Sequence, residues 1–225
     1  MRTTLVLRLT LALLLTGCAA FMPSVSPSSS PGPAGPITYT ADQMWALMSG
    51  MASDQRRAET LEGAVDFAEL VVVGRYVGVE RGGQYGSDST AVALIAVDSI
   101  AKGEPKLGTD GLLRIEFILV VGSPSYPKKE FADLQRSIPK DPALLFLFTW
   151  ESYMELIGGG LPAWDARRDL TRTYKTIGGD GAMRVVDGRI QPPAFVLGWP
   201  LTLRGSEIDA VLAEVRKLAA SDSVP

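Results

Sequence analysis

The chain has 225 residues, of which 46% are aliphatic or aromatic and 21% charged, the proportions of a polypeptide that folds around a core. One cysteine and no histidine exclude an internal disulfide, His-based zinc sites, and Ser-His-Asp or Cys-His catalysis. The formal net charge is −3, and no basic patch or nucleic-acid-binding signature accompanies it, so no nucleic acid is expected as a partner.

Residues 1–17 carry Arg2 and Arg8, then an apolar run from Leu9 to Leu15, then small residues. This is the pattern of a secretory signal peptide, and its apolar run is too short to span a bilayer. Without those two arginines, 20 basic residues face 25 acidic ones, a formal −5. Leu15-Thr16-Gly17-Cys18 resembles the lipobox of bacterial lipoproteins. The resemblance implies cleavage before Cys18, acylation of its thiol, and a chain held by lipid on the extracytoplasmic face of a bacterial membrane. Two or three acyl chains anchor stably at ~0.8 kcal/mol per buried methylene.

From Phe21 to Pro36 the chain is mostly Pro, Ser, Gly and Ala, a semi-extended tether within an anchor region of 18–38. A helical lead-in (39–68) follows. Thr40-Ala-Asp-Gln43 has the form of a capping box, with Met44, Leu47, Met48 and Met51 on one stripe; thioethers at this spacing read as core filler. A second short helix starts near Thr60 and runs through Leu61, Ala64, Val65 and Ala68.

Residues 69–192 read as a β-rich body. Glu69 to Glu80 predicts a long strand with Val71, Val73, Val77 and Val79 on one face, kinked at Gly74 or Gly78. After a loop from Arg81 to Ser89, Thr90 to Ile100 predicts the second strand, with a bulge near Asp98 where the alternation slips. Leu113, Ile115, Phe117, Leu119 and Val121 alternate with Leu112, Arg114, Glu116, Ile118 and Val120 in the third. Ala143 to Trp150 is a continuous apolar run suited to burial on both faces. Thr171 to Ile177 adds another strand, and Ala182 to Ile190 folds as a hairpin at Asp187-Gly188. In the terminal region, 193–225, Ser206 and Asp209 cap an amphipathic helix with Ile208, Val211, Leu212, Val215 and Leu218 on its apolar stripe.

The expected fold is mainly β with flanking helices: a five- to seven-stranded antiparallel barrel plus the C-terminal helix. The order Ala68-Glu-Leu-Val-Val-Val-Gly-Arg-Tyr-Val77, then Ile100-Ala-Lys-Gly103, Leu144-Leu-Phe-Leu147 and Val185-Val-Asp-Gly-Arg-Ile190 resembles uncharacterised bacterial extracytoplasmic domains similar to the netrin-like domain. That resemblance covers about residues 60 to 192 and implies an OB-type barrel. Netrin-like domains of animals are pinned by disulfides, and metalloproteinase inhibitors of that class chelate zinc through an amino-terminal cysteine. Neither feature transfers to this chain, so the resemblance implies a fold and no activity.

Candidate sites are few. Glu151 with Glu155, and Asp165 with Asp169, are carboxylate pairs of the kind glycoside hydrolysis uses, in a loop-like stretch (151–170) where Arg167 and Arg168 balance them. Gly82-Gly83, Gly158-Gly160 and Gly178-Gly179 lack the strand-to-helix context of phosphate loops and read as turns. Lys128-Lys129 is a weak basic patch beside Glu130 and Asp133. Trp150, Tyr153, Trp164 and Trp199 serve either as core anchors, the commoner use, or as the lining of a glycan or peptide groove at one end of the barrel; of these, Trp150, Tyr153 and Trp164 are the candidate ligand-binding residues. No catalytic residue, metal ligand or cofactor motif is assigned. The expectation is a lipid-anchored, non-enzymatic extracytoplasmic domain that contacts an envelope protein, peptide or glycan. The alternatives are a hydrolase of envelope polymers and a structural partner of another envelope protein.

Overall fold

The computed structural model describes residues 58–85, 88–119, 131–156, 169, 171–177, 181–193 and 198–221. The leader, Cys18, the tether, the methionine-bearing helix, Lys128-Lys129, Gly158 to Gly160, Trp164, Asp165 and Gly178-Gly179 lie outside them.

Helix α1 (Leu61–Phe67) begins where expected: the Thr60 Oγ1 accepts the Gly63 N–H at 3.0 Å, and Ala64 and Val65 are buried. Seven strands follow: β1 (Leu70–Tyr85), β2 (Asp88–Lys102), β3 (Leu113–Leu119), β4 (Ala143–Thr149), β5 (Thr173–Thr176), β6 (Ala182–Val186) and β7 (Arg189–Gln191). Helix α2 (Phe131–Arg136) precedes β4, α3 (Trp150–Leu156) follows it, and a 3-10 segment (Trp199–Leu203) leads to α4 (Ile208–Ser221).

The strands form one mixed sheet, ordered β1-β2-β3-β5-β4-β6-β7, and β1 also pairs with β4, so that five strands close a ring. Every pairing is antiparallel except β3 with β5. The expectation of a wholly antiparallel sheet is corrected there: β4 intervenes in the chain and pairs antiparallel with β5, which leaves β5 running the same way as β3. On the far edge of β4, β5 and β6 lie end to end, and Phe146 bridges their junction by donating to the Gly181 carbonyl (2.8 Å) and accepting from Ile177 N–H (3.1 Å).

The continuous apolar run of β4 has the cause its sequence suggests. Leu145 and Leu147 enter the ring beside Leu70, Val72, Ile95 and Ile115. Leu144 and Phe146 point outward to a second cluster with Val65, Trp199, Leu212 and Val215. Each such side chain contributes roughly 1.5–3 kcal/mol on burial, and a charge at Leu145 would break the inner cluster. α4 thus packs on the sheet through its apolar stripe, and Glu207 rather than Ser206 precedes its first residue.

The long β1–β2 ribbon departs from simple alternation. Val73 pairs with Ser99 and Gly74 with Val97, so Asp98 bulges out, and further register shifts fall at Val71/Val72, Tyr76/Gly78 and Arg81/Gln84. These shifts overturn the single face expected for Val71, Val73, Val77 and Val79. Val71 and Val73 join the outer cluster, Val79 joins the ring interior, and Val77 is 52% exposed. The loop expected over Arg81 to Ser89 is also shorter, because β1 continues to Tyr85 and β2 resumes at Asp88. The β6–β7 hairpin turns at Asp187 (φ 49°) and Gly188 (φ 73°), the left-handed pair that Asp-Gly favours.

Candidate functional site

The segment after β4, read from sequence as loop-like, is helical over Trp150–Leu156. Thr149 caps it: its Oγ1 accepts the Ser152 N–H at 3.2 Å, and the Glu69 carboxylate in turn accepts the Thr149 N–H at 3.2 Å. Helical spacing then brings Trp150, Tyr153 and Met154 down onto β4 and β5.

Trp150 and Tyr153 therefore meet, edge to face, with centroids 5.3 Å apart. They close over Lys175, which is buried although charged. The Lys175 Nζ lies 4.2 Å from the Tyr153 centroid, 5.8 Å from that of Phe148 and 5.9 Å from that of Trp150, within cation–π range of all three rings. Trp150 is completely buried and Tyr153 half-buried. The two rings lock α3 to the sheet, and Trp150 offers no open face to a ligand. Trp199 is buried in the outer cluster, edge-on to Phe146 at 5.1 Å.

Glu151 and Glu155 are exposed on α3, one turn apart. Glycosidase carboxyls need a cleft that keeps one of them protonated, and these two stand on open surface. The Asp169 carboxylate is engaged in its own turn, accepting from Thr171 N–H (3.1 Å) and Thr171 Oγ1–H (2.6 Å). Among the described residues no group of three or more His, Cys, Asp or Glu side chains could hold a metal ion, and no helix is long and apolar enough to cross a membrane.

α1, α4 and the 3-10 segment cover the outward face of β1's start, β4 and β6, and α4 also reaches the end of β2, where Arg216 donates to the Ile100 carbonyl; α3 covers β4 and β5, and α2 lies against β1 with Leu134 in the inner cluster. Across β1, β2 and β3 the register sets two outward rows, Gly78–Leu94–Arg114 and Glu80–Val92–Glu116; among the described elements no helix lies on them, and the second row is closed at its β3 end, where Glu116 is buried. Gly78 carries no side chain where a Cβ would come within 3.2 Å of Leu94 Cδ1. Leu94 and Val92, both half-buried, therefore form a shallow apolar strip. Charges of both signs flank it. The Arg114 guanidinium holds Asp110 with bonds of 3.0 and 2.8 Å, Arg75 pairs with Asp98 at 2.7 Å, and Glu80 is exposed.

Glu116 is a charged residue that the sequence analysis did not single out: it is 1% exposed and accepts a hydrogen bond from the Thr90 hydroxyl. Gly82 makes the room: a Cβ there would fall 2.7 Å from the Glu116 Oε1. Lys175 was equally hidden, and neither pattern carries a local signal, because the covering groups come from distant segments. No protein-family profile matches the chain, and neither a curated protein nor a solved structure is similar enough to count as a relative.

Proposed function

We propose that this chain is a lipid-anchored extracytoplasmic binding domain without catalytic activity, an OB-type barrel whose β1–β2–β3 face contacts an envelope protein, peptide or glycan. Cys18 carries the acyl chains, and the proline-rich tether holds the domain off the membrane. The ring of five strands supports the barrel reading, since OB-type barrels are five-stranded, partly open, and bind ligands over strands 2 and 3. The observation that carries the binding role is the strip of Val92 and Leu94 between opposed charges, over which no helix lies among the described residues. An apolar centre with a polar rim is the anatomy of a recognition surface. Its two arginines, Arg75 and Arg114, face Glu80, Asp98 and Asp110, so a polyphosphate finds no basic excess, consistent with no nucleic acid as partner.

The test has two arms. The full chain, expressed in a bacterial host with labelled palmitate, incorporates label at Cys18 and partitions with membranes, and Cys18→Ser abolishes both. An unmodified thiol with the leader attached would overturn the anchor. With the protein held in detergent micelles, Leu94→Glu then lowers its retention on detergent-washed envelope at least tenfold; equal retention of wild type and variant removes the role of the face.

A further inference from the structure

Away from that face, the β6–β7 hairpin and the turn after the 3-10 segment enclose an open groove of about 420 Å³. Backbone bonds hold its two lips together: Ile190 N–H donates to the Ser206 carbonyl at 2.9 Å, and Gly205 N–H to the Ile190 carbonyl at 2.8 Å. Val186 and Pro192 supply apolar lining, and Asp187, Arg189 and Arg204 supply the charges.

Those charges are not equivalent. The Arg189 guanidinium is already committed, donating to the Gly205 carbonyl at 2.7 Å and to the Glu207 carboxylate at 3.0 Å. Asp187 and Arg204 are both exposed, and neither side chain makes a hydrogen bond or ion pair among the described residues. Opposite charges that line one groove without closing on each other leave a gap. An anion alone would gain Arg204 but face Asp187, and a cation alone would gain Asp187 but face Arg204. A molecule with both charges a few bonds apart satisfies each, with planar two-point contact from the guanidinium to a carboxylate.

We propose that this groove binds a small zwitterion of the amino-acid or short-peptide class: its ammonium on Asp187, its carboxylate on Arg204, and a small aliphatic side chain against Val186 and Pro192. The site depends neither on the β1–β2–β3 face nor on Cys18. The exposed setting keeps each charge contact weak, so affinity is on the order of millimolar.

The experiment titrates the full mature chain in detergent with alanylalanine, with N-acetyl-alanylalanine, and with alanylalanine amide, by calorimetry or NMR. Alanylalanine should bind, and each blocked form should bind about tenfold more weakly. Asp187→Asn, which keeps a turn that Asn-Gly favours equally, should erase the preference for the ammonium. Arg204→Gln should erase the preference for the carboxylate, and Arg204→Lys should restore part of it. Equal binding of all three probes, loss with the amide alone (a simple anion site), unchanged binding in both variants, or no binding at tens of millimolar would each overturn the proposal.

Discussion

Gly82 sits where a Cβ would fall 2.1 Å from Thr90 Oγ1 and 2.7 Å from Glu116 Oε1. Gly82→Ala should therefore destabilise the fold by about 1–3 kcal/mol, the usual penalty of overpacking, read as a lower denaturant midpoint. Gly63, inside α1, is its control: a Cβ there meets nothing nearer than 3.5 Å, so Gly63→Ala should stabilise by roughly 0.5–1 kcal/mol. Asp110 is a pH-sensitive residue of another kind. Hydrogen bonds from Arg114 first, and from the Leu112 N–H second, lower its carboxyl from 3.8 to about 2. A depressed folded-state value means the contribution is complete above the ordinary carboxylate range and is lost as pH falls from there through about 2. NMR titration should find the Asp110 midpoint near that lower value, and Arg114→Gln should return it toward the ordinary range. In the core, burial pushes the Tyr76 hydroxyl far up, and burial raises that of Tyr174 as well, against the Lys106 N–H that it accepts.

Helix α3 is held by side chains more than by its seven residues, since a helix that short has little stability of its own. Tyr153→Leu removes the closest ring from Lys175 and should raise amide exchange over Trp150–Leu156 about tenfold, the equivalent of ~1.4 kcal/mol, while β1 exchange stays unchanged. A faster β1 would mean instead that the ring itself loosens. The elements differ in how legible they were. β4 and the Asp187-Gly188 hairpin could be read directly, because an apolar run and an Asp-Gly pair each have a local cause. The bulge at Asp98 was visible as a slip in alternation. The face of Val79 was not, because three further register shifts depend on pairing geometry. α3 left a signal that could have been used: Thr149 as cap, then Trp150, Tyr153 and Met154 at helical spacing. The groove beside β7 had none, since Arg204 and Asp187 come to line one groove only through the hairpin and the 3-10 turn.

At the scale of the whole molecule, one cysteine means that no covalent link within the chain supports the fold. A reducing agent should therefore leave the thermal midpoint of the full chain unchanged, and a drop of several degrees would point to a link between chains. Packing alone must hold the ring, and its pairings span long distances in sequence. β1 finds β4 only when Leu147 is available, and β3 meets β5 at just two residue pairs, Arg114 with Thr173 and Ile115 with Tyr174. A polypeptide emerging from its amino end cannot complete that circuit until Tyr174 has been made. Until then the nascent chain displays an unfilled apolar trough, the kind of surface that chaperones hold, and the domain assembles late in its own synthesis.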